Sequence, residues 1–170
     1  MRSLVVFESM FGDTETIARA VADGLSHAMR VDVVDVATAP QVDGGVDLLV
    51  VGGPTHAFGM SRASTRRDAV RQGGRPAAEI VGLREWIEEL QPTDSARAAA
   101  FDTRINKPFV PGSAGRAASR SLRRHGFQLV AAPESFRVTG TPGPLVPGEE
   151  DRARRWGQSL AALFSATTGH

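Results

Sequence analysis

The sequence of 170 residues contains no cysteine, no tyrosine and a single lysine, Lys107. Without cysteine the chain forms no disulfide, thiolate metal site or cysteine nucleophile, so any redox chemistry has to come from a bound cofactor. Chemistry that needs a lysine has one candidate position. Acidic and basic residues nearly balance at a net charge of +1, which gives no general reason to expect binding to nucleic acid or to an anionic membrane.

Long apolar segments are also missing. The apolar run at residues 4–7 is too short for a signal peptide and is followed directly by Glu8, and no window approaches the roughly 20 apolar residues of a membrane span. We therefore expect a cytoplasmic protein without membrane insertion. The length and the hydrophobic content of 41% fit one domain over residues 1–170.

Short apolar runs alternate with longer amphipathic stretches along the chain. The runs predict strands at 3–7, 31–36, 48–52, 98–101 and 128–136, and the amphipathic stretches predict helices at 14–29, 78–90, 113–124 and 149–164. The strands are almost continuously apolar, as in parallel sheets covered by helices on both faces. The pattern predicts an α/β fold, a three-layer sandwich around a five-stranded parallel sheet of order 2-1-3-4-5. In such sheets ligands bind beyond the carboxyl ends of the strands.

The segment 9–14, Ser-Met-Phe-Gly-Asp-Thr, lies between the first strand and the first helix. A helix N-terminus has unpaired N–H groups and a partial positive charge, so it can hold a phosphate without a cationic side chain. Ser9 and Thr14 add hydroxyl donors, and Gly12 permits close backbone approach. The alternative is an ordinary helix start, capped by Asp13, with Glu15 in the first turn.

Other phosphate-binding patterns fit this segment less well. A P-loop requires Gly-Lys-Ser/Thr, and no lysine is present here; a dinucleotide fingerprint requires three spaced glycines, and this turn has one. A phospho-receiver domain shares the predicted strand order but would place an aspartate after the third strand. This chain has Gly52 and Gly53 there.

The segment Ser9-Met10-Phe11-Gly12-Asp13-Thr14-Glu15 resembles the phosphate loop of flavodoxins, Ser/Thr-x-Thr-Gly-x-Thr, with Phe11 in place of a hydroxyl residue. The order of elements resembles that family over nearly the whole chain. The resemblance implies a flavodoxin-like protein that binds flavin mononucleotide (FMN). It implies that the phosphate is held by Ser9, Met10, Phe11, Gly12, Asp13 and Thr14.

The loop after the third strand contains Phe58-Gly59, which looks like the aromatic-glycine pair beside the flavin ring in flavodoxins. The resemblance implies ring contact for Phe58 and a redox-linked hinge at Gly59, within a ring-side loop that also contributes Pro54, Thr55 and His56. A surface turn with one buried phenylalanine is the alternative for Phe58. His56 is either a ligand-facing donor or a polar loop residue, and no metal site is expected there.

The loop after the fourth strand, residues 102–112, is the third loop at this edge of the sheet. It departs from the family, in which a tyrosine at this position covers the other ring face. Asp102, Thr103 and Arg104 stand at this position instead. Thr103 is expected to hydrogen-bond the pyrimidine edge and Arg104 to face the flavin N1. The alternative is an exposed pair between Asp102 and Arg104 that contributes little to stability.

The resemblance therefore predicts an electron-transferring FMN protein, either a shuttle or a small flavin reductase. Its expected partners are a redox protein or a small electron donor or acceptor, and they differ from those of the strongly acidic classical flavodoxins. A non-redox binding module that has lost FMN is the alternative. Trp86 and Trp156 are expected in the core. A run of arginines, at 62, 66, 67, 71 and 75, is either a solvated face or a docking surface for an acidic partner or a phosphate.

Overall fold

The structure is a computed structural model that describes residues 1–56, 58–91 and 96–169. Six strand segments alternate with five α-helices in the described residues. The strands are β1 (Arg2–Phe7), β2 (Arg30–Asp35), β3 (Leu48–Pro54), β4 (Arg97–Ile105), β5 (Gln128–Leu129) and β6 (Glu134–Val138). The helices are α1 (Asp13–Leu25), α2 (Ala63–Arg71), α3 (Leu83–Glu88), α4 (Ala114–Arg124) and α5 (Glu149–Thr168).

The sheet is parallel throughout its named strand pairs, with the order β2-β1-β3-β4-β5, which confirms the predicted order. The fifth position is filled by two segments, because β5 and β6 both pair with β4. The prediction of one continuous strand at 128–136 was wrong in this respect. Pro133 lies in the break, and a proline has no N–H to donate to the ladder.

Helices cover both faces of the sheet and make three layers. Alternate residues of β1 point to opposite sides, so Val5 and Phe7 join a core cluster with α1 and α5, whereas Leu4 and Val6 join a second cluster with α3 and α4. Trp86 lies buried in the second cluster, and Trp156 packs partly buried against the first. Both tryptophans are therefore in the core, as predicted.

Three of the predicted helices differ from the structure by more than one residue. α1 ends at Leu25 rather than 29, where the Ser26 hydroxyl donates to the Asp23 carbonyl at 2.7 Å. α5 continues to Thr168. The predicted helix 78–90 is divided into a 3₁₀ turn, Pro76–Glu79, and α3, because Gly82 is extended between them.

Helix α2 was not predicted at all. It has little apolar periodicity, and the large side chain that it buries is the charged Arg66, which is 2% exposed. A pattern of hydrophobic residues cannot find a helix whose buried face is polar. This helix belongs to the wall of the candidate site.

Candidate functional site

A cavity of about 290 Å³ lies at the carboxyl ends of β1, β3 and β4, where the strand order predicts a ligand site. This volume is near the lower end of the range typical for small-molecule sites. The cavity is lined by residues of five segments: Met10, Phe11, Asp13, Thr14, Pro54, Thr55, His56, Thr65, Asp68, Ala69, Gln72, Thr103, Arg104, Ile105, Val138, Gly140 and Thr141. Nine of the fourteen residues predicted from the sequence are on this list. The other five are Ser9, Gly12, Phe58, Gly59 and Asp102.

Ser9 and Gly12 belong to the first loop, residues 9–14, and stabilise its conformation without lining the cavity. The Ser9 hydroxyl accepts hydrogen bonds from the N–H groups of Gly12 (3.1 Å) and Glu15 (3.3 Å). Gly12 is the N-cap of α1 and has φ of 106°, a left-handed conformation that favours glycine. Gly12, not Asp13, is therefore the N-cap of this helix. Ser9 has a structural role in the loop that the sequence alone did not show.

From Met10 to Thr14, four of the five backbone N–H groups have no acceptor in the part of the chain that the structure describes. They are the N–H groups of Met10, Phe11, Asp13 and Thr14. Unpaired N–H groups at the start of a 13-residue helix, next to a cavity, form the kind of donor set that binds an anion.

The hydroxyls of Thr14 and Thr103 are 2.7 Å apart, and both residues are buried. This contact joins the first loop to the end of β4. Two hydroxyls have two donor protons, and one hydrogen bond between them uses only one. One of the pair therefore keeps a proton that it can donate to a ligand.

Asp13 and Arg75 place opposite charges at the first loop. The Asp13 carboxyl lines the cavity, and burial raises its pKa. The Arg75 backbone N–H donates to the Met10 carbonyl at 2.9 Å, and its guanidinium pairs with Glu15 at 2.7 Å. A Cβ atom on Gly12 would lie 3.3 Å from Nη2 of Arg75, so this guanidinium is beside the loop. The sequence showed Arg75 only as one member of a basic run.

The ring-side loop is anchored at its start by the neighbouring loops. The Thr55 N–H donates to the Thr103 carbonyl (2.9 Å), and the Thr55 hydroxyl accepts from the N–H of Ala114 (3.1 Å). His56 lines the cavity, with its Nδ1 at 3.2 Å from the Thr65 hydroxyl on α2. Burial, together with the charge of Arg66, lowers the pKa of His56, so this side chain is neutral at neutral pH.

The tip of this loop is a tight turn in which the N–H groups of His56 and Gly59 donate to each other's carbonyls (2.8 and 2.9 Å). Phe58 is left-handed, with φ of 74°, and its side chain is 64% exposed. The alternative of a buried phenylalanine is therefore wrong. Gly59, by contrast, does not have a positive φ. A Cβ on Gly112 would collide with the backbone of Phe58, so the turn packs against the loop that precedes α4.

A buried ionic cluster fixes the end of the ring-side loop. The Glu8 carboxylate accepts from the Ser61 hydroxyl (2.8 Å) and from the Leu83 N–H (2.7 Å), while Arg66 donates to Ser61 (3.0 Å) and to Glu85 (2.8 Å). Burial raises the pKa of Glu8, and these hydrogen bonds and the charge of Arg66 oppose the rise. The cluster connects the residue before Ser9 to α2 and α3, so it holds the first loop, the ring-side loop and α2 in one arrangement.

The third loop divides its predicted residues between two roles. Asp102 is fully buried, and its carboxylate accepts hydrogen bonds from the Ser113 hydroxyl and from the Gly115 N–H (2.9 Å). It caps α4 below the cavity and makes no pair with Arg104, so the alternative of an exposed Asp102–Arg104 pair is wrong. Thr103 and Arg104 line the cavity, and Arg104 Nη2 donates to the Val110 carbonyl at 2.6 Å. The buried Nε of Arg104 has no partner within the described residues.

Helix α2 supplies a wall of the cavity that the sequence did not predict. Thr65, Asp68, Ala69 and Gln72 recur at helical spacing and face the cavity. The run of arginines noted in the sequence does not form one surface. Arg66 is buried behind the wall, whereas Arg62, Arg67 and Arg71 are exposed.

The chain resembles flavodoxins in two comparisons with known proteins. The flavodoxin family model matches residues 5–75, which include the first loop, the ring-side loop and α2. A flavodoxin from the domain Archaea aligns with a TM-score of 0.67 and 16% identity, over 97% of this chain and 99% of that chain. No curated protein matches this chain in sequence.

Two bacterial flavodoxins align similarly. An oxidised flavodoxin from Bacillus cereus has a TM-score of 0.67 and 16% identity, over 98% of both chains. A flavodoxin from Streptococcus pneumoniae TIGR4 has a TM-score of 0.66 and 20% identity, over 95% of this chain and 99% of that chain. These similarities show a shared fold over nearly the full length, which confirms the flavodoxin-like fold expected from the sequence. No helix in the described residues is long and apolar enough to cross a membrane.

Proposed function

We propose that this flavodoxin-like chain binds one FMN in the cavity described above and transfers electrons through it. The observation that carries the proposal is the set of four unpaired N–H groups at the start of α1, next to a cavity whose position in the fold is that of a ligand site. FMN supplies the chemistry, because its ring accepts and returns one or two electrons. The protein supplies binding, orientation and the local electric field.

The residues present fit this cofactor. The first loop offers N–H groups and one free hydroxyl proton from Thr14 or Thr103 to a phosphate, and Arg75 adds a positive charge beside it. Arg104 also lines the cavity, at the end of β4, and adds a second positive charge there. Pro54, Thr55 and His56 form the base between these ends, and the polar residues of α2 form a wall.

Arg104 has a second role in the proposal. A guanidinium at the cavity stabilises a ligand that becomes negatively charged on reduction, because opposite charges attract. We therefore infer that Arg104 raises the potential of the second electron transfer. The protein is then a weaker reductant than flavodoxins that surround the ring with acidic groups. Whether it works as a shuttle or as a small flavin reductase depends on the space left over the ring, and the lack of a tyrosine favours the reductase.

Asp13 is the observation that favours the alternative, a binding module that has lost FMN. A carboxylate in the cavity repels a phosphate when both are ionised, and burial already raises its pKa. In that case the chain binds neither FMN nor riboflavin.

Two substitutions test the placement of the cofactor. Thr14→Ala removes a hydroxyl at the phosphate end and should weaken FMN binding by about 10-fold to 150-fold, or roughly 1.5–3 kcal/mol, with little effect on riboflavin. Phe58→Ala should weaken the binding of FMN and riboflavin alike. Because Phe58 is exposed, its removal should change the free energy of unfolding by no more than about 0.5 kcal/mol.

Fluorescence titrations of the wild type and both variants with FMN and riboflavin provide the measurement. If Thr14→Ala weakens riboflavin as much as FMN, the phosphate does not lie on the first loop. If Phe58→Ala leaves both affinities unchanged, Phe58 does not contact the ring.

A further inference from the structure

Four arginines form a row on the outer face of α4, separate from the cavity. Arg116, Arg120, Arg123 and Arg124 are all exposed and follow the spacing i, i+4, i+7, i+8, which places them on one side of the helix. They extend over about 12 Å at 1.5 Å per residue. We call this row the α4 arginine stripe.

None of the four takes part in an ion pair with a described carboxylate. On α5, by contrast, Arg152 pairs with Glu134 and Glu149, and Arg154 pairs with Asp23 and Asp151. Like charges at i, i+3 and i, i+4 destabilise a helix, and Arg116 lies in the first turn, where the helix dipole disfavours a cation. Arg123 and Arg124 lie in the last turn, where the dipole favours a cation, so the cost to α4 falls on Arg116 and Arg120.

The stripe begins beside the candidate cofactor site. The first helical N–H of α4, from Ala114, donates to Thr55 of the ring-side loop, and Asp102 at the end of β4 accepts from Gly115. The loop before α4 carries Phe109, which is 100% exposed, and this loop packs against the backbone of Phe58 through Gly112. Two exposed aromatic residues thus lie in the two loops that meet before the stripe. Aromatic residues and arginine are enriched at protein interfaces.

We propose that the α4 arginine stripe docks the acidic surface of a redox partner protein beside the FMN site. The proposal rests on the proposed electron-transfer function and names the charge of its partner. Classical flavodoxins are strongly acidic, so this chain would use the opposite sign of charge. Exposed cations beside the proposed FMN site increase the rate at which an acidic partner associates.

A protein surface fits the stripe better than a nucleic acid or a membrane. Glu88 and Glu89 are exposed near the C-terminal end of α4, where His125 Nε2 lies 3.3 Å from the Glu88 carbonyl. These carboxylates would repel a phosphate backbone, whereas a protein surface of mixed charge can complement them. α4, which is described throughout, exposes no large hydrophobic side chain that would enter a bilayer.

The test compares two variants of equal net charge. One carries Arg116→Gln, Arg120→Gln and Arg124→Gln in the stripe. The other carries Arg30→Gln, Arg67→Gln and Arg155→Gln, which are exposed outside the stripe and form no ion pair with a described carboxylate. The probes are a labelled peptide rich in glutamate that also carries lysines, to match the mixed charge around the stripe, and a labelled DNA duplex, with binding followed by fluorescence anisotropy over a range of salt concentrations.

The wild type should bind the peptide more tightly than the duplex. The stripe variant should bind the peptide about ten-fold more weakly than wild type, with a smaller dependence on salt, and the scattered variant should stay within about two-fold. Equal losses in the two variants would show an effect of net charge only and would overturn the proposal. No loss in the stripe variant, or tighter binding of the duplex through the stripe, would also overturn it. Peptide binding requires no flavin, so a failure of FMN binding is detected separately, in the flavin spectrum.

Discussion

Replacing Arg66 with methionine should destabilise the fold much more than any other single arginine on α2. Arg66 is 2% exposed and donates three hydrogen bonds: one to Ser61 (3.0 Å) and two to Glu85 (3.2 and 2.8 Å). Its positive charge also acts on Glu8, which is 1% exposed and has one oxygen without a partner among the described residues. Removal of one member of a buried ionic cluster typically costs about 3–5 kcal/mol, because the remaining charge is left unpaired.

Two substitutions serve as comparisons. Arg71→Met changes the same residue type on the same helix, but Arg71 is exposed and pairs with Asp68 at 3.5 Å, so its loss should cost no more than about 0.5 kcal/mol. Glu8→Gln in the Arg66→Met background removes the unpaired buried charge. It should restore about 1–3 kcal/mol of the lost free energy of unfolding.

The loss should also depend on pH. Burial raises the pKa of Glu8 in the folded protein. Its contribution to the free energy of unfolding is therefore most favourable at low pH and is lost as pH rises through the folded pKa. Without Arg66 the folded pKa rises further. For Glu85, burial opposes ionisation, but the hydrogen bonds from Arg66 lower its pKa, and that benefit is lost as pH falls. Both effects make the difference between Arg66→Met and wild type larger near neutral pH and smaller near about pH 4, below the ordinary pKa of a glutamate.

Urea unfolding followed by the fluorescence of Trp86 and Trp156 and by circular dichroism measures these differences at the two pH values. A loss below about 1 kcal/mol, or a loss that is the same at both pH values, would refute the buried-charge reasoning. So would a double variant no more stable than Arg66→Met.

Two further predictions concern the loops of the site. Arg75→Gln should weaken FMN binding by about ten-fold and leave riboflavin unchanged, because the guanidinium lies beside Gly12 at the phosphate end. Arg19→Gln, which removes the other partner of Glu15, is the control, and equal effects of the two would assign the change to Glu15. Phe58→Gly should raise the free energy of unfolding by about 1 kcal/mol, since Phe58 has a positive φ and an exposed side chain. Thermal melts measure this change. A decrease in the free energy of unfolding would mean that the side chain packs in the fold.

The sequence predicted the sheet order because strands buried on both faces leave a clear apolar pattern, and the crossover rules leave few arrangements. The sequence did not predict α2, because this helix lacks such an apolar pattern. The buried face of that helix holds Arg66, whose partner Glu85 is 19 residues away, so no local pattern of apolar residues reports its burial. The break at Gly82 depends on the same cluster, because the extended backbone there lets the Leu83 N–H reach Glu8.

The candidate site likewise contains residues that the sequence could predict and residues that it could not. Residues of the first loop could be recognised because the loop is contiguous in the chain. Arg75 could not, since its position beside Gly12 depends on a contact between the Arg75 N–H and the Met10 carbonyl. Asp102 was expected at the ligand but caps α4, because strand residues alternate between faces and Asp102 points to the layer that contains Ser113 and Gly115.

FMN binding by the purified wild-type chain is the central claim, and one titration tests it most directly. The chain should bind FMN with a stoichiometry of about one and a perturbed flavin absorption spectrum, and riboflavin should bind at least about ten-fold more weakly because it lacks the phosphate. Equal affinity for FMN and riboflavin would contradict the placement of the phosphate on the first loop. Binding of neither would contradict the proposed function and would favour a flavodoxin-like module that works without flavin.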